Sequence, residues 1–346
     1  MRFFVCGSSA LEALRSIPPQ ADALKRLEEA IPVGELTAQS RTLRTLALDT
    51  HGIRMRPLHL LVGRDEPTGR SPGVRTHRTS LGAIPPGLAL ELDPTVVGSS
   101  GAQVLIAGPE LVFAQMGRLI SPVAEVVLAY ELCGRYSQFS QLVSGFYDRP
   151  ALTSADAIGR ALDALAGMRR LGRARSALQW VADGARSPME TVLACELSLP
   201  AELGGLGFHV PRLNCPVELD EAAARIAGCS VCYVDLAWPD ARRGLEYNGA
   251  AFHQDPARDQ RRREALAHMG WALNVVDLDH MRDHDRLMAL VSLVGDELPR
   301  QPGGAAPPDE VAGLHRRLLK ATRYGMGLED AFFGVKPPKG SVQMHL

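Results

Sequence analysis

Two acids in the second half of the chain stand where acids are costly. From Val231 to Trp238 every residue suits a buried strand except Asp235, and a lone buried carboxylate needs a cation, a hydrogen-bond network or a metal. Side chains alternate along a strand, so in the next extended stretch, Arg243 to Asn248, Glu246 and Asn248 point one way and Leu245 and Tyr247 the other. A hairpin across Pro239, Asp240 and Ala241 would bring Asp235 and Glu246 together. Paired carboxylates at a sheet end suit Mg²⁺ (or Mn²⁺), a hard ion that binds oxygen and keeps waters for a phosphate to displace. The chemistry would be polarisation of a phosphodiester, activation of water and stabilisation of the leaving oxygen. The same residues also fit a structural network in which arginines such as Arg242 or Arg262 satisfy the acids.

The elements that must position these acids can be read around them. Ser187 is a good N-cap, Pro188 suits the first helical position and Glu190 falls three residues after the cap, so a helix opens there and runs to about Leu199. On this reading the cap alone explains Glu190. Extended stretches follow at about Phe208 to Leu213, Ser230 to Trp238 and Arg243 to Asn248. After His253 the pattern is helical: Asp259, Arg262 and Leu266 share a face, with Arg258, Arg261 and Arg263 beside it. That helix ends at Gly270. A strand from Trp271 to Leu278 and a helix from Asp285 to Leu298 complete an α-β-β-β-α-β-α order, with an acid on the second strand and Glu-x-polar on the third.

The remainder of the chain frames this region. Its 346 residues are enough for two domains, and 46% hydrophobic with 22% charged residues is a globular composition. A formal net charge of −1 supplies no global field for nucleic acid, so a polyanion would have to be held by local patches. No apolar run approaches a membrane span, the first residues lack a secretory core, and six scattered cysteines fit reduced thiols; a cytoplasmic protein without disulfides is expected. Residues 1 to 170 read as a mixed α/β and helical domain: helices near Ser9 to Ile17 and Ala21 to Ala30, a strand at Leu58 to Val62, and helices at Glu110 to Met116, Pro122 to Cys133 and Thr153 to Arg170. The turn-like Gly98 to Gly101 lacks the Lys-Ser/Thr of a phosphate loop. Arg169, Arg170, Arg173 and Arg175 mark the boundary; they could contact phosphate, although a short charge run is more often a solvated helix face. Residues 174 to 298 form the second domain. Residues 301 to 346 read as a flexible linker, Pro302 to Pro308, and a last helix, Glu310 to Tyr324.

Taken in order, Ser187 to Thr191, Val234 to Pro239, Glu246 to Gly249 with His253, Asp259 with Arg262 and Leu266, and Gly270 with Trp271 resemble the very-short-patch-repair-like endonuclease domains of the PD-(D/E)XK superfamily. The resemblance implies a restriction-endonuclease-like α-β-β-β-α-β core, and a Mg-dependent deoxyribonuclease acting in phage defence or DNA repair. It implies Asp235 and Glu246 as metal ligands, Glu190 as a further acid, and His253 near the scissile phosphate. Asp259 and Arg262 would brace the helix behind the site or touch the DNA backbone, with Arg258, Arg261 and Arg175 as phosphate contacts. Relatives usually carry Asp or Lys where this chain has Asn248. An amide can ligate a metal or orient a water, but it cannot act as a base or carry charge.

The first half is similar to abortive-infection AbiE antitoxin-like proteins through its small-residue helix from Ser9 to Arg15, the segment Gly73 to His77, and Pro109 with Glu110. Such relatives commonly begin with a winged-helix DNA reader, and no convincing one is legible here. The alternative to an endonuclease is therefore a catalytically inactive, antitoxin-like regulator that binds DNA, a toxin or another protein partner. His59 and His77 could be functional, though a histidine beside a strand is more often packed or hydrogen-bonded. His209, Cys215, Cys229 and Cys232 could make a zinc set, but Cys232 faces away from Asp235 in an apolar strand, where a cysteine behaves as a small hydrophobe.

Overall fold

The apolar stretches of the first half assemble one mixed sheet, and the Asp235 and Glu246 stretches assemble another. In the computed structural model the described residues are 1–16, 24–39, 48, 52–54, 57–66, 73–92, 102–117, 119–138, 146–168, 171–248 and 255–323, the last four as backbone. His253, Arg169, Arg170 and the turn at 98–101 lie outside them. In chain order the first half contains β1 (Arg2–Val5), α1 (Gly7–Arg15), β2 (Leu24–Arg26), β3 (Ile31–Pro32), β4 (Leu58–Val62), β5 (Val74–Arg78), β6 (Ala83–Ile84), β7 (Ala89–Leu92) and β8 (Gln103–Ala107). Helices α2 (Pro109–Met116) and α3 (Pro122–Cys133), the hairpin β9 (Tyr136–Gln138) and β10 (Phe146–Asp148), and helices α4 (Ala155–Ala164) and α5 (Leu171–Leu178) follow.

The larger sheet has six strands in the order β2-β7-β8-β1-β4-β5. β1 runs parallel to β8 and antiparallel to β4, and both neighbours are almost wholly buried, as near-continuous apolar runs require. The helix expected from Ala21 to Ala30 is not what forms among its described residues: Leu24 to Arg26 pair antiparallel with Leu92 to Leu90 as an edge strand. Its three-residue alternation is too short for periodicity to separate helix from strand, and pairing with β7 decides. Arg26 then reaches the buried Glu110 at 3.0 Å, and Thr153 Oγ1 donates to the same carboxylate at 2.6 Å. In the same way Arg15 holds the fully buried Glu131 with two bonds of 2.9 and 2.8 Å.

The second half contains α6 (Pro188–Ser198), β11 (Arg212–Glu218), α7 (Glu221–Ala227), β12 (Val231–Trp238), β13 (Arg243–Asn248), α8 (Pro256–His268), β14 (Ala272–Asp277), α9 (Leu278–Arg282), α10 (His284–Gly295) and α11 (Pro308–Arg323). Its sheet runs β11-β12-β13-β14, antiparallel except for the parallel β13–β14 pair that the α8 crossover connects. The first strand lies later than its expected position near Phe208, because Phe208 is drawn into the main core and its backbone bonds Leu197 rather than a sheet neighbour. An extra short helix, α7, separates the first two strands. It starts at Asp220, whose side chain accepts from Ala223 N, and stops at Gly228 in the left-handed conformation that favours glycine.

Every residue of α6 is buried, and the helix packs against α3, α11 and β12. One continuous apolar core therefore runs from Phe3 through Val192 and Leu193 to Leu318. A small satellite core, with Val217, Cys232, Val234 and Leu266, lies between the second sheet and α8. The segment expected as a flexible linker, Pro302 to Pro308, is pinned: Ala306 N donates to Gly205 O at 2.9 Å and Gln301 N to Gly207 O at 2.8 Å. Gly207, at φ +67°, lets the Gly304 backbone approach where a Cβ would clash. Among the described residues no helix is long and apolar enough to cross a membrane. The architecture is mixed α/β with several sheets.

Candidate functional site

The acids on the second sheet lie in one row across it. Leu236 pairs with Leu245 and Ala237 with Gly244, so the same register sets Asp235 opposite Glu246. On the other side Leu213 pairs with Leu236 and Cys215 with Val234, which sets Asn214 opposite Asp235. Directly opposed residues of antiparallel strands share a face. The hairpin that closes this register crosses Pro239–Ala241 and turns at Arg242, a non-glycine residue at φ +50° whose side chain donates to Met269 O at 3.0 Å.

Ladder bonding gives way to side-chain bonding along this row. Asp235 Oδ2 accepts from the Tyr247 backbone N–H at 3.0 Å. Asn214 sits at φ +46° and donates from Nδ2 to Glu190 Oε2 at 2.6 Å and to Gly184 O at 3.1 Å. The amide thus ties the sheet to the first turn of α6. There Ser187 caps the helix by accepting from Glu190 N, its hydroxyl donates to Glu190 Oε1 at 3.0 Å, and Arg186 N donates to Oε2 at 3.0 Å. The cap reading of Glu190 and its nearness to the acids are therefore both features of the fold.

Electrostatics separate the three acids. Burial, reinforced by the nearby Asp235 charge, raises Glu190 to about 7 despite its hydrogen bonds. Burial and the Glu246 charge raise Asp235 to about 6, against the opposing pull of Tyr247 N–H, Arg262 and Arg186. Glu246 is neutralised: Arg262, from α8, grips both carboxylate oxygens and also donates to the Tyr233 carbonyl. This ion pair is the arginine-satisfied network that the sequence allowed, supplied by Arg262 and not Arg242. Near neutral pH the row carries more carboxylate than local cation, and two of its acids hold protons more tightly than ordinary carboxyls.

The remaining sequence candidates divide by place. Asn248 follows Glu246 by two residues on the same face of β13, opposite Asp277 of β14 in register. Arg258 and Arg261 are exposed on α8. Arg175 is on α5, paired with Asp163 at 2.6 Å and with the Leu162 carbonyl, and Arg173 beside it reaches buried Glu125 at 2.9 Å. Both arginines serve intramolecular ion pairs here. In the first half His59 Nδ1 lies 3.3 Å from Ser8 Oγ and 3.2 Å from His77 Nε2, and burial beside that second ring lowers His59 to about 4.

Two features escaped sequence reasoning. Asn214 gave one weak signal, a residue tolerant of the left-handed conformation inside an otherwise apolar run. The other is a cluster on α6 itself, where Glu196 accepts from His284 Nε2 at 2.9 Å and faces His315 Nδ1 at 2.7 Å. The two imidazoles overcome the effect of burial and hold Glu196 below the usual carboxylate range. Its signal was a second glutamate on this helix, set among Leu193, Ala194, Cys195 and Leu197. Among the described residues, this is the only group of three metal-ligating side chains whose ligand atoms lie within 4.8 Å of one another, so Glu190, Asp235 and Glu246 are more openly spaced. All six cysteines are free, with Cys232 buried and Cys229 and His209 exposed.

Compared with family models, with curated proteins and with solved structures, the chain matches none.

Proposed function

We propose that residues 174 to 298 are a PD-(D/E)XK-like domain that binds a divalent cation at Asp235 and Glu246, with Glu190 behind them, and hydrolyses DNA phosphodiesters. The observation that carries this reading is the polar row in which Asp235 faces Glu246 across two strands while burial and like charge raise Asp235 and Glu190. The hard carboxylate oxygens of Asp235 and Glu190, raised by burial and like charge, fit Mg²⁺ or Mn²⁺, and the order of elements follows the α-β-β-β-α-β of the resemblance apart from the inserted α7. The bound ion would polarise the phosphodiester and lower the pKa of an attacking water.

The chain's own residues would do the rest. Tyr247 N–H fixes one Asp235 oxygen and so aims the other. Asn214 and the Ser187 cap hold Glu190 at the helix entrance, where it can take a proton near neutral pH. Arg262 holds Glu246 until an ion competes for it, and exposed Arg258 and Arg261 can hold DNA phosphates through charge-assisted contacts. Asn248 can orient a water by hydrogen bonding but cannot remove its proton.

Two observations favour the alternative, a DNA-binding or partner-binding regulator that keeps the fold without catalysis: Arg262 already satisfies Glu246, and Asn248 supplies no charge. Supercoiled plasmid incubated with the full chain in Mg²⁺ or Mn²⁺ separates the two. Nicking or linearisation that disappears with EDTA and with Asp235→Ala supports hydrolysis. DNA retention without cleavage, unchanged by Asp235→Ala, supports the regulator.

A further inference from the structure

We propose that Glu196, His284 and His315 form a second metal site, for a borderline divalent ion of the zinc class, that fastens the C-terminal helices to α6. The three side chains come from three helices, α6, α10 and α11, and their ligand atoms lie within 4.8 Å of one another. Glu196 and His315 are almost completely buried, and His284 closes the more open side. The two imidazole rings lie 4.9 Å apart between centroids, tilted by 48°, so they do not stack face to face, and one nitrogen of each meets the same carboxylate.

His315 carries the argument. Its Nε2 is 3.0 Å from the Met281 carbonyl, which can only accept, so Nε2 bears a hydrogen. Its Nδ1 is 2.7 Å from Glu196 Oε2, which also accepts when ionised. A neutral ring would then point a lone pair at a carboxylate. Either a proton is shared between the two atoms, on the ring or on the carboxyl, or a metal ion takes its place. A ring whose outer N–H is fixed by a backbone carbonyl while its other nitrogen faces inward is the usual support for a metal-bound histidine. The convergence of His284 Nε2 on the other oxygen of the same carboxylate gives the N₂O donor set that zinc-class ions take, and that Mg²⁺, which prefers oxygen alone, does not.

This site is independent of the nuclease reading, because it uses none of the acids on the sheet. The test is elemental analysis of the purified full-length chain after dialysis, followed by Co²⁺ substitution and visible spectroscopy. One zinc-class ion per chain is expected in the wild type and in Asp235→Ala, with loss of stoichiometric uptake in Glu196→Gln and in His315→Gln. The Co²⁺ form should show ligand-field bands without thiolate charge transfer. His284→Ala, at the more open edge, is the variant least exposed to misfolding, and near-ultraviolet circular dichroism checks its packing; it should weaken Co²⁺ binding while keeping the native spectrum. No stoichiometric ion in the wild type would overturn the proposal and leave a proton as the bridge. Thiolate bands, or full uptake by folded His284→Ala and Glu196→Gln, would overturn it equally.

Discussion

Glu190 in the first turn of α6 and Glu196 near its last are both buried, roughly 9 Å apart along the axis, and their surroundings push them in opposite directions. At Glu190 hydrogen bonds from Ser187, Arg186 and Asn214 do not offset burial and the charge of Asp235, and the carboxyl is raised to about 7. At Glu196 two imidazoles outweigh a comparable burial, and the carboxyl is lowered. Depth alone therefore does not decide the charge of a buried acid. The partner does, and at the Glu190 end, where the partner is another acid, a hard cation would relieve like-charge repulsion.

Removing each acid in turn puts the largest strain on this comparison. Glu196→Gln breaks a buried ionic cluster and should cost about 3–5 kcal/mol in urea unfolding. Glu190→Gln removes a carboxylate that its neighbours disfavour, and should cost less than about 1 kcal/mol at pH 8. Equal losses would erase the distinction.

The pH dependence of the metal-free protein is the next test. Folded Asp235 and Glu190 titrate at about 6 and about 7, above their unfolded values. Raised carboxyls contribute stability that is complete below the unfolded pKa and is lost as pH rises through the folded one. Stability in chelator should thus fall by about 2–3 kcal/mol between pH 5 and 8, after discounting for the partial exposure of Asp235. His315, also raised, acts in the same direction, while the lowered Glu196 contributes stability that is lost only at acid pH. Asp235→Asn should remove its own share and lessen that of Glu190, Glu190→Gln should remove the larger share, and Mg²⁺ should restore stability at pH 8 more than at pH 5. A decline unchanged in both variants would assign it to His315.

Smaller effects sharpen the picture. Asn214→Ala removes two hydrogen bonds and keeps the strained φ of +46°, so a loss of about 1–2 kcal/mol is expected, together with a further rise of the Glu190 pKa seen by NMR titration. Arg258→Ala and Arg261→Ala should leave stability unchanged and reduce the salt slope of DNA binding by about 1 each, whereas Arg175→Ala, which breaks an exposed ion pair, should cost below about 1 kcal/mol and leave that slope alone.

The hairpin with Asp235 opposite Glu246, the Ser187 cap and the α8 crossover could be read from the chain because each follows from local rules: alternation, capping and 3.6-residue periodicity. What could not be read needed partners distant in sequence. Leu24 to Arg26 became a strand through β7, Phe208 left its expected strand for the main core, and residues 301 to 307 were held by the Gly204 to Gly207 loop. Within the site, Arg262 was legible as a possible counter-ion by its helical spacing, but its grip on both Glu246 oxygens was not. Glu196, His284 and His315 are separated by 88 and 119 residues from acid to histidine, and no periodicity links them.

The cation site on the Asp235–Glu246 row can be read by calorimetric titration of the full chain at pH 8 with Mg²⁺, which the Glu196–His284–His315 donor set does not take. Saturable uptake in the wild type, lost in Asp235→Ala and retained in Glu196→Gln, is expected. Uptake that survives Asp235→Ala, or no uptake in the wild type, would rule the site out.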